Sequence, residues 1–196
     1  MRKIGTSPDS CEQIIYTHIP AVHTSKPPKK LKYKKYFMRF INPLFLTNSL
    51  LRRILFFRFL PLGWLAGVKV LSMDANRCTV QLQTAWRNRN PFGSMYFGSL
   101  QLGAEVSMGF PVLAMINECP KNVSVLILQS RSAFHKRGKG KVNFVCDNLQ
   151  KFRESLENQE VLSAGGTVEL YSKAYNKDGT LVSETWITWG IRERKS

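Results

Sequence analysis

Residues 95–116 are almost wholly apolar, carry a single acid, Glu105, and lack the period-2 alternation of a half-buried strand. Their length favours one long helix that is apolar on every side, and such a helix has to be covered over most of its surface. An antiparallel sheet curled around it meets that requirement, which makes the expected fold α+β. Gly98, Gly103, Ala104 and Gly109 would let strands come close to the helix backbone. A bilayer span is the other reading the length allows. Glu105 at mid-span and Pro111 inside the segment argue against it.

Strand candidates surround this helix. Residues 65–72 and 76–86 alternate through Val68, Val70, Val80 and Leu82 and are joined at Met73–Asn76. Four more follow at 122–134, 140–147, 162–175 and 180–191, the last two joined by an Asp178-Gly179 hairpin turn. Asp147 to Asn158 reads as a short polar helix. Another helix over residues 50–60 is expected to stop at Pro61 and Gly63. Residues 1–30 read as a loose arm ending in Lys26-Pro-Pro-Lys-Lys30. The expected organisation is a basic N-terminal extension over 1–40 and a single folded domain over 41–196.

Charge is unevenly spread. The formal net charge is +16, and residues 1–60 hold twelve Lys/Arg against two acids, or +10 of the total. Such an excess suits an anionic partner. For residues 29–60 three readings are open. Residues 44–60 pack across the outer sheet face, Lys29 to Arg39 attach to an anionic membrane surface, or the interleaved aromatic and basic residues bind nucleic acid. No recognised nucleic-acid module is present, so that partner ranks last. The four cysteines and three histidines form no CxxC or zinc-type cluster. No metal site is expected. Free thiols and no evident secretory signal lead to a cytoplasmic expectation, with peripheral membrane attachment as an option.

Chemistry concentrates at Asn90-Pro-Phe-Gly93-Ser-Met-Tyr96-Phe97-Gly98, a glycine-bearing loop that runs into the start of the apolar helix. A helix start offers free backbone N–H groups, and Glu105 follows about two turns on. Oriented donors plus a buried acid suffice to hydrolyse a carbonyl compound without a metal. Plainer readings compete with this one. Glu105 could be satisfied by a loop N–H or an Arg, Asn90 could only start a turn, and Gly93 and Gly98 could only serve the backbone. Tyr96 could be a core residue, although its hydroxyl could donate to a carbonyl.

The pattern Asn90-x-x-Gly93-x-x-Tyr96-Phe97-Gly98, with Glu105 fifteen positions after Asn90, resembles the hot-dog fold superfamily of acyl-CoA thioesterases. The likeness is to its phenylacetyl-CoA thioesterase type motif. Trp86 to Gly98 is similar to the phrasing of an uncharacterised, mainly bacterial branch, and the resemblance covers about residues 40–192. It implies an antiparallel sheet wrapped around a long central helix and hydrolysis of acyl-CoA or acyl-carrier-protein thioesters. Glu105 would act as general base or nucleophile, the Phe97 N–H with Gly98 would polarise the carbonyl, and Asn90 would orient water or substrate. The helix of one subunit and the loop of its partner would share each site, so a homodimer or dimer of dimers is implied. Coenzyme A would be part of the substrate, with no cofactor.

The basic run His135 to Lys141, taken as a hairpin between two strands, is either a solvated turn or a landing site for coenzyme A phosphates. In the second case Arg131, Lys136, Arg137, Lys139 and Lys141 would be the donors, and Gly93 and Tyr96 would line the substrate. The sequence departs from the motif at Tyr96, where relatives carry His, at Phe97, where they carry Gly, and at Gly109, where many carry Ser or Thr. No His accompanies the carboxylate, which argues against a hot-dog dehydratase. These departures keep open a protein that binds acyl-CoA or lipid without turnover. A basic module acting on a membrane surface or nucleic acid is a weaker alternative.

Overall fold

A computed structural model of the chain describes residues 46–194. The basic arm, including Lys29 to Arg39, lies outside the described residues.

The described residues open with two helices. Asn48 caps α1 (Ser49–Phe59), its Oδ1 accepting from the N–H groups of Leu50 and Leu51, both at 3.1 Å. Gly63 lies inside a helix rather than ending one, but α1 does stop at Phe59, just ahead of Pro61. Pro61 occupies the first turn of α2 (Pro61–Ala66), where its missing N–H costs nothing, and Gly67 closes α2 in a left-handed conformation. Residues 44–60 were one candidate cover for the outer sheet face. Instead α1 reaches the central helix, Phe56 meeting Phe110 at a ring separation of 5.5 Å.

Strands β1 (Lys69–Met73) and β2 (Cys78–Gln83) form a hairpin, and a single 3-10 turn, Trp86–Asn88, leads towards the site loop. Then come α3 (Phe97–Glu118), β3 (Val123–Phe134), β4 (Lys141–Cys146), α4 (Gln150–Glu157), α5 (Gln159–Ala164), β5 (Gly166–Asn176) and β6 (Leu181–Glu193). All pairings are antiparallel, in the order β1-β2-β4-β5-β6-β3. The fold is the expected α+β hot-dog arrangement, a six-stranded sheet around one long helix.

That order explains the length of α3. It carries the chain from β2, near one edge, across the inner face to β3 at the other edge. Most of its residues are apolar and buried, among them Ala104, Met108 and Val112. Of the α3 glycines, Gly103 admits a strand side chain most closely, the Phe144 ring of β4. The helix is long and apolar enough to cross a membrane, but it is mostly buried within the protein.

Two expectations are corrected here. Strands β3 and β4 do not pair, so 135–140 is no hairpin turn. It crosses the end of the β5–β6 hairpin, tied down by Val182 O, which accepts from the His135 and Lys136 N–H groups. Residues 162–164 belong to α5 rather than to a strand, because Asn158 caps a new helix with its Oδ1. Cys78, Cys119 and Cys146 carry free thiols.

Candidate active site

Asn88 anchors the loop that precedes α3. It is 2% exposed, and its Nδ2 donates to Ala66 O at 2.7 Å and Gln83 O at 2.9 Å. Its Oδ1 accepts from Ser99 Oγ at 3.3 Å, and its backbone carbonyl accepts from the Tyr96 N–H at 2.7 Å. One amide thus joins the end of α2, the end of β2 and the start of α3. Nothing in an asparagine set between two arginines signals burial, and the sequence reading passed over it. Asn88→Ala leaves two carbonyls without that donor. The expected cost is about 2–4 kcal/mol, read as a lowered denaturant midpoint.

Asn90 has two roles in one side chain. Its Oδ1 accepts from the Phe92 N–H, the Ser94 N–H and Ser94 Oγ at 3.1–3.2 Å, which shapes the turn. Its Nδ2 has no hydrogen-bond partner among the described residues, and Asn90 lines an open cleft. Gly93 holds a φ of +78°, so its part is conformational.

Helix α3 starts without a side-chain cap, and the Phe97 and Gly98 N–H groups make no hydrogen bond among the described residues. The Tyr96 ring folds against the helix start. A Cβ on Gly98 would lie 2.7 Å from Tyr96 Cε1, so the glycine makes room for this aromatic residue. Phe97 packs edge-on against Phe134 of β3, with ring centroids 5.7 Å apart.

Asn90 and Phe97 border a cleft of about 470 Å³ whose walls also include Phe134, Lys136 and Arg137. Lys136 and Arg137 form no ion pair with a described residue, so that wall is positive. Gly93, Tyr96, Gly98, Arg131, Lys139 and Lys141 do not line it. Arg131 leaves the opposite sheet face from Ser132, stacking on Trp186 at 4.2 Å and pairing with Glu169 at 3.2 Å. His135, which the sequence did not favour, stands on the rim with Nε2 3.1 Å from Glu184 Oε2.

Glu105 lies eight residues into the same helix, about 12 Å along its axis from Phe97. One turn before it, Gln101 Nε2 donates to Ser132 Oγ of β3 at 2.6 Å. One turn after it, a Cβ on Gly109 would sit 3.0 Å from Glu105 Oε1 and 3.7 Å from the Trp189 ring. Its carboxylate therefore belongs to the strip of α3 that faces β3 and β6. Among the described residues nothing donates a hydrogen bond to it. Burial alone pushes its pKa above the ordinary carboxylate range. A carboxylate satisfied by a loop N–H or an Arg, the plain structural reading, is not what is found.

Solved structures share this architecture. One is a Pseudomonas aeruginosa protein of unknown function, suggested to be a thioesterase, with 19% identity and a TM-score of 0.63 over 75% of this chain and 97% of that one. A proposed thioesterase from Shewanella oneidensis has 15% identity and a TM-score of 0.56 over 74% and 96%. A variant of a Staphylococcus aureus thioesterase has 16% identity and a TM-score of 0.54 over 67% and 98%. At these identities the likeness is one of fold. No curated protein matches the chain. Residues 48–191, from the cap of α1 through most of β6, match the family described as domain of unknown function DUF4442, and the chain belongs to that family, built on the hot-dog fold.

Proposed function

We propose that the protein hydrolyses acyl-CoA or acyl-carrier-protein thioesters, with water activated by Glu105 attacking a carbonyl polarised by the Phe97 and Gly98 N–H groups. The observation that carries this reading is an unpartnered, largely buried carboxylate on the same helix whose uncapped N-terminus opens on a positively walled cleft. The N–H pair would stabilise the oxyanion, Asn90 Nδ2 would orient the substrate carbonyl or the water, and Lys136 and Arg137 would hold the phosphates. The thiol leaves with the proton that Glu105 takes from water.

The 12 Å between Glu105 and the helix start exceeds the 3–3.5 Å that attack requires. Each site would therefore take its carboxylate from one subunit and its N–H groups from another. Among the described residues β3 is an edge strand of the sheet, and its exposed Leu126, Ile127 and Leu128 support such a dimer. The folding of Tyr96 over the helix start favours a second reading, acyl-CoA binding without turnover.

Phe97→Pro tests the N–H directly. Proline is tolerated at the first helical position, and Tyr96 already has the extended backbone that precedes proline. Loss of this donor lowers kcat by about 10²–10³-fold, whereas Phe97→Ala keeps the N–H and much of the rate. Mixing Phe97→Pro chains with Glu105→Gln chains, each inactive alone, restores thiol release if the site is shared. No recovery in verified mixed dimers would place both groups in one subunit. Binding of acyl-CoA by the parent without thiol release would select the second reading.

A further inference from the structure

Outside the cleft, the domain carries a surface that thioester chemistry does not use. Helix α1 buries Leu55 and Phe56, yet its outward stripe is also apolar: Leu50, Ile54 and Phe57 are 67%, 60% and 65% exposed. The stripe continues onto α2, where Phe57 meets Trp64 edge-on at 5.2 Å and Leu62 and Leu65 are exposed. Apolar side chains grouped in this way mark an interaction surface rather than ordinary scatter.

Beside them opens a second cavity, of about 370 Å³, whose walls include Trp64 and Leu65 together with Arg52, Arg53, Lys69 and Arg87. Arg53, Lys69 and Arg87 form no ion pair with any described residue. Arg52 is 7% exposed, and Nη1 donates to Leu46 O at 3.2 Å. Burial and the neighbouring Arg53 both lower its pKa, as expected of a cation with no counter-charge among the described residues. The sequence supplies none nearby: residues 13–73 contain eleven Lys/Arg and no Asp or Glu. The first acid after them, Asp74, is occupied in a turn, accepting from the Asn76 and Arg77 N–H groups.

We propose that the α1–α2 face docks on an anionic membrane, with the phosphate of a lipid headgroup held in the Arg52–Arg53–Lys69–Arg87 cavity. Leu50, Ile54, Phe57 and Leu62 enter the acyl boundary, and Trp64 stays at headgroup depth. A nucleic acid would meet the cations and leave the aliphatic stripe in water. An anionic bilayer meets both at once. The proposal does not depend on thioester hydrolysis.

The test is co-sedimentation of the full chain with phosphatidylcholine vesicles, with and without phosphatidylglycerol. Binding is expected only to the anionic vesicles. Ile54→Asp/Phe57→Asp lowers partitioning about tenfold or more, and replacing Arg53 and Lys69 by Gln lowers it roughly fivefold per charge. Trp64→Phe removes the vesicle-induced blue shift of fluorescence while binding persists. Melting temperatures near that of the parent establish that the variants fold, since all these side chains are at least partly exposed. Parent-like binding by both sets of variants would put attachment elsewhere on the chain and overturn the proposal. Equal binding to neutral vesicles, or binding to neither kind, would overturn it as well.

Discussion

Glu105→Gln lowers thioester hydrolysis by about 10²–10⁴-fold and, in the same molecule, makes the folded domain more stable at pH 7. Both effects follow from one carboxylate that is largely buried and has no hydrogen-bond donor among the described residues. Its pKa is raised in the folded state by desolvation, so the unfolded chain ionises first as pH rises. From about pH 4.3, the ordinary value for Glu, stability falls with rising pH until the folded-state pKa is passed, then stays level. Gln carries no charge to desolvate and escapes that loss. The stability advantage of Glu105→Gln is therefore present at pH 7 and disappears below about pH 4, where Glu105 is protonated in both states. Denaturant midpoints at the two pH values measure it. The parent's turnover should rise with pH through an inflection above the ordinary carboxylate range. An advantage that is absent at pH 7 would mean that water or a second chain solvates the carboxylate, and residual turnover equal to the parent's would remove Glu105 from the mechanism.

Much of the fold is legible in the sequence, and the reasons differ by element. Helix α3 could be read from its composition because nothing else accommodates so long an apolar run with one acid. The Asp178-Gly179 turn was equally plain, since Gly179 supplies the positive φ a tight hairpin needs. The β3–β4 connection misled because a basic, glycine-containing loop looks the same whether two strands pair or one crosses to the far side of β5 and β6. Gly63 misled because a glycine after a helix reads as a stop, whereas Pro61 both follows the end of α1 and begins α2. At the site, the loop spacing identified Asn90 and the helix start, but not how tasks divide among residues. Asn88 was invisible because its partners, Ala66 O and Gln83 O, are backbone atoms distant in sequence. The grouping of Arg131 with the cleft failed through strand parity. Ser132 turns toward α3, so Arg131 must turn away.

The helix glycines separate stability from chemistry. Gly103→Ala should gain up to about 1 kcal/mol of helix propensity. Yet a methyl built there overlaps the ring of Phe144, lying 2.5 Å from Cζ and 2.6 Å from Cδ2. Phe144 is fully buried in β4, which is paired on both sides, so ring and strand have little room to retreat. Overpacking of this kind costs about 1–3 kcal/mol net. A domain of this size then melts roughly 2–4 °C lower for each kcal/mol. Shortening the obstruction provides the control: Gly103→Ala in a Phe144→Leu background should cost less than in the parent, giving a coupling of about 0.5–3 kcal/mol. Gly109→Ala behaves differently. Its methyl would meet the movable end of Glu105, 3.0 Å away, rather than a packed ring. The side chain swings aside, stability holds or improves, and turnover falls because the carboxylate has left its position beside Trp189. If Gly109→Ala instead melts earlier while keeping full turnover, that glycine serves packing, and the room around Glu105 has no catalytic purpose.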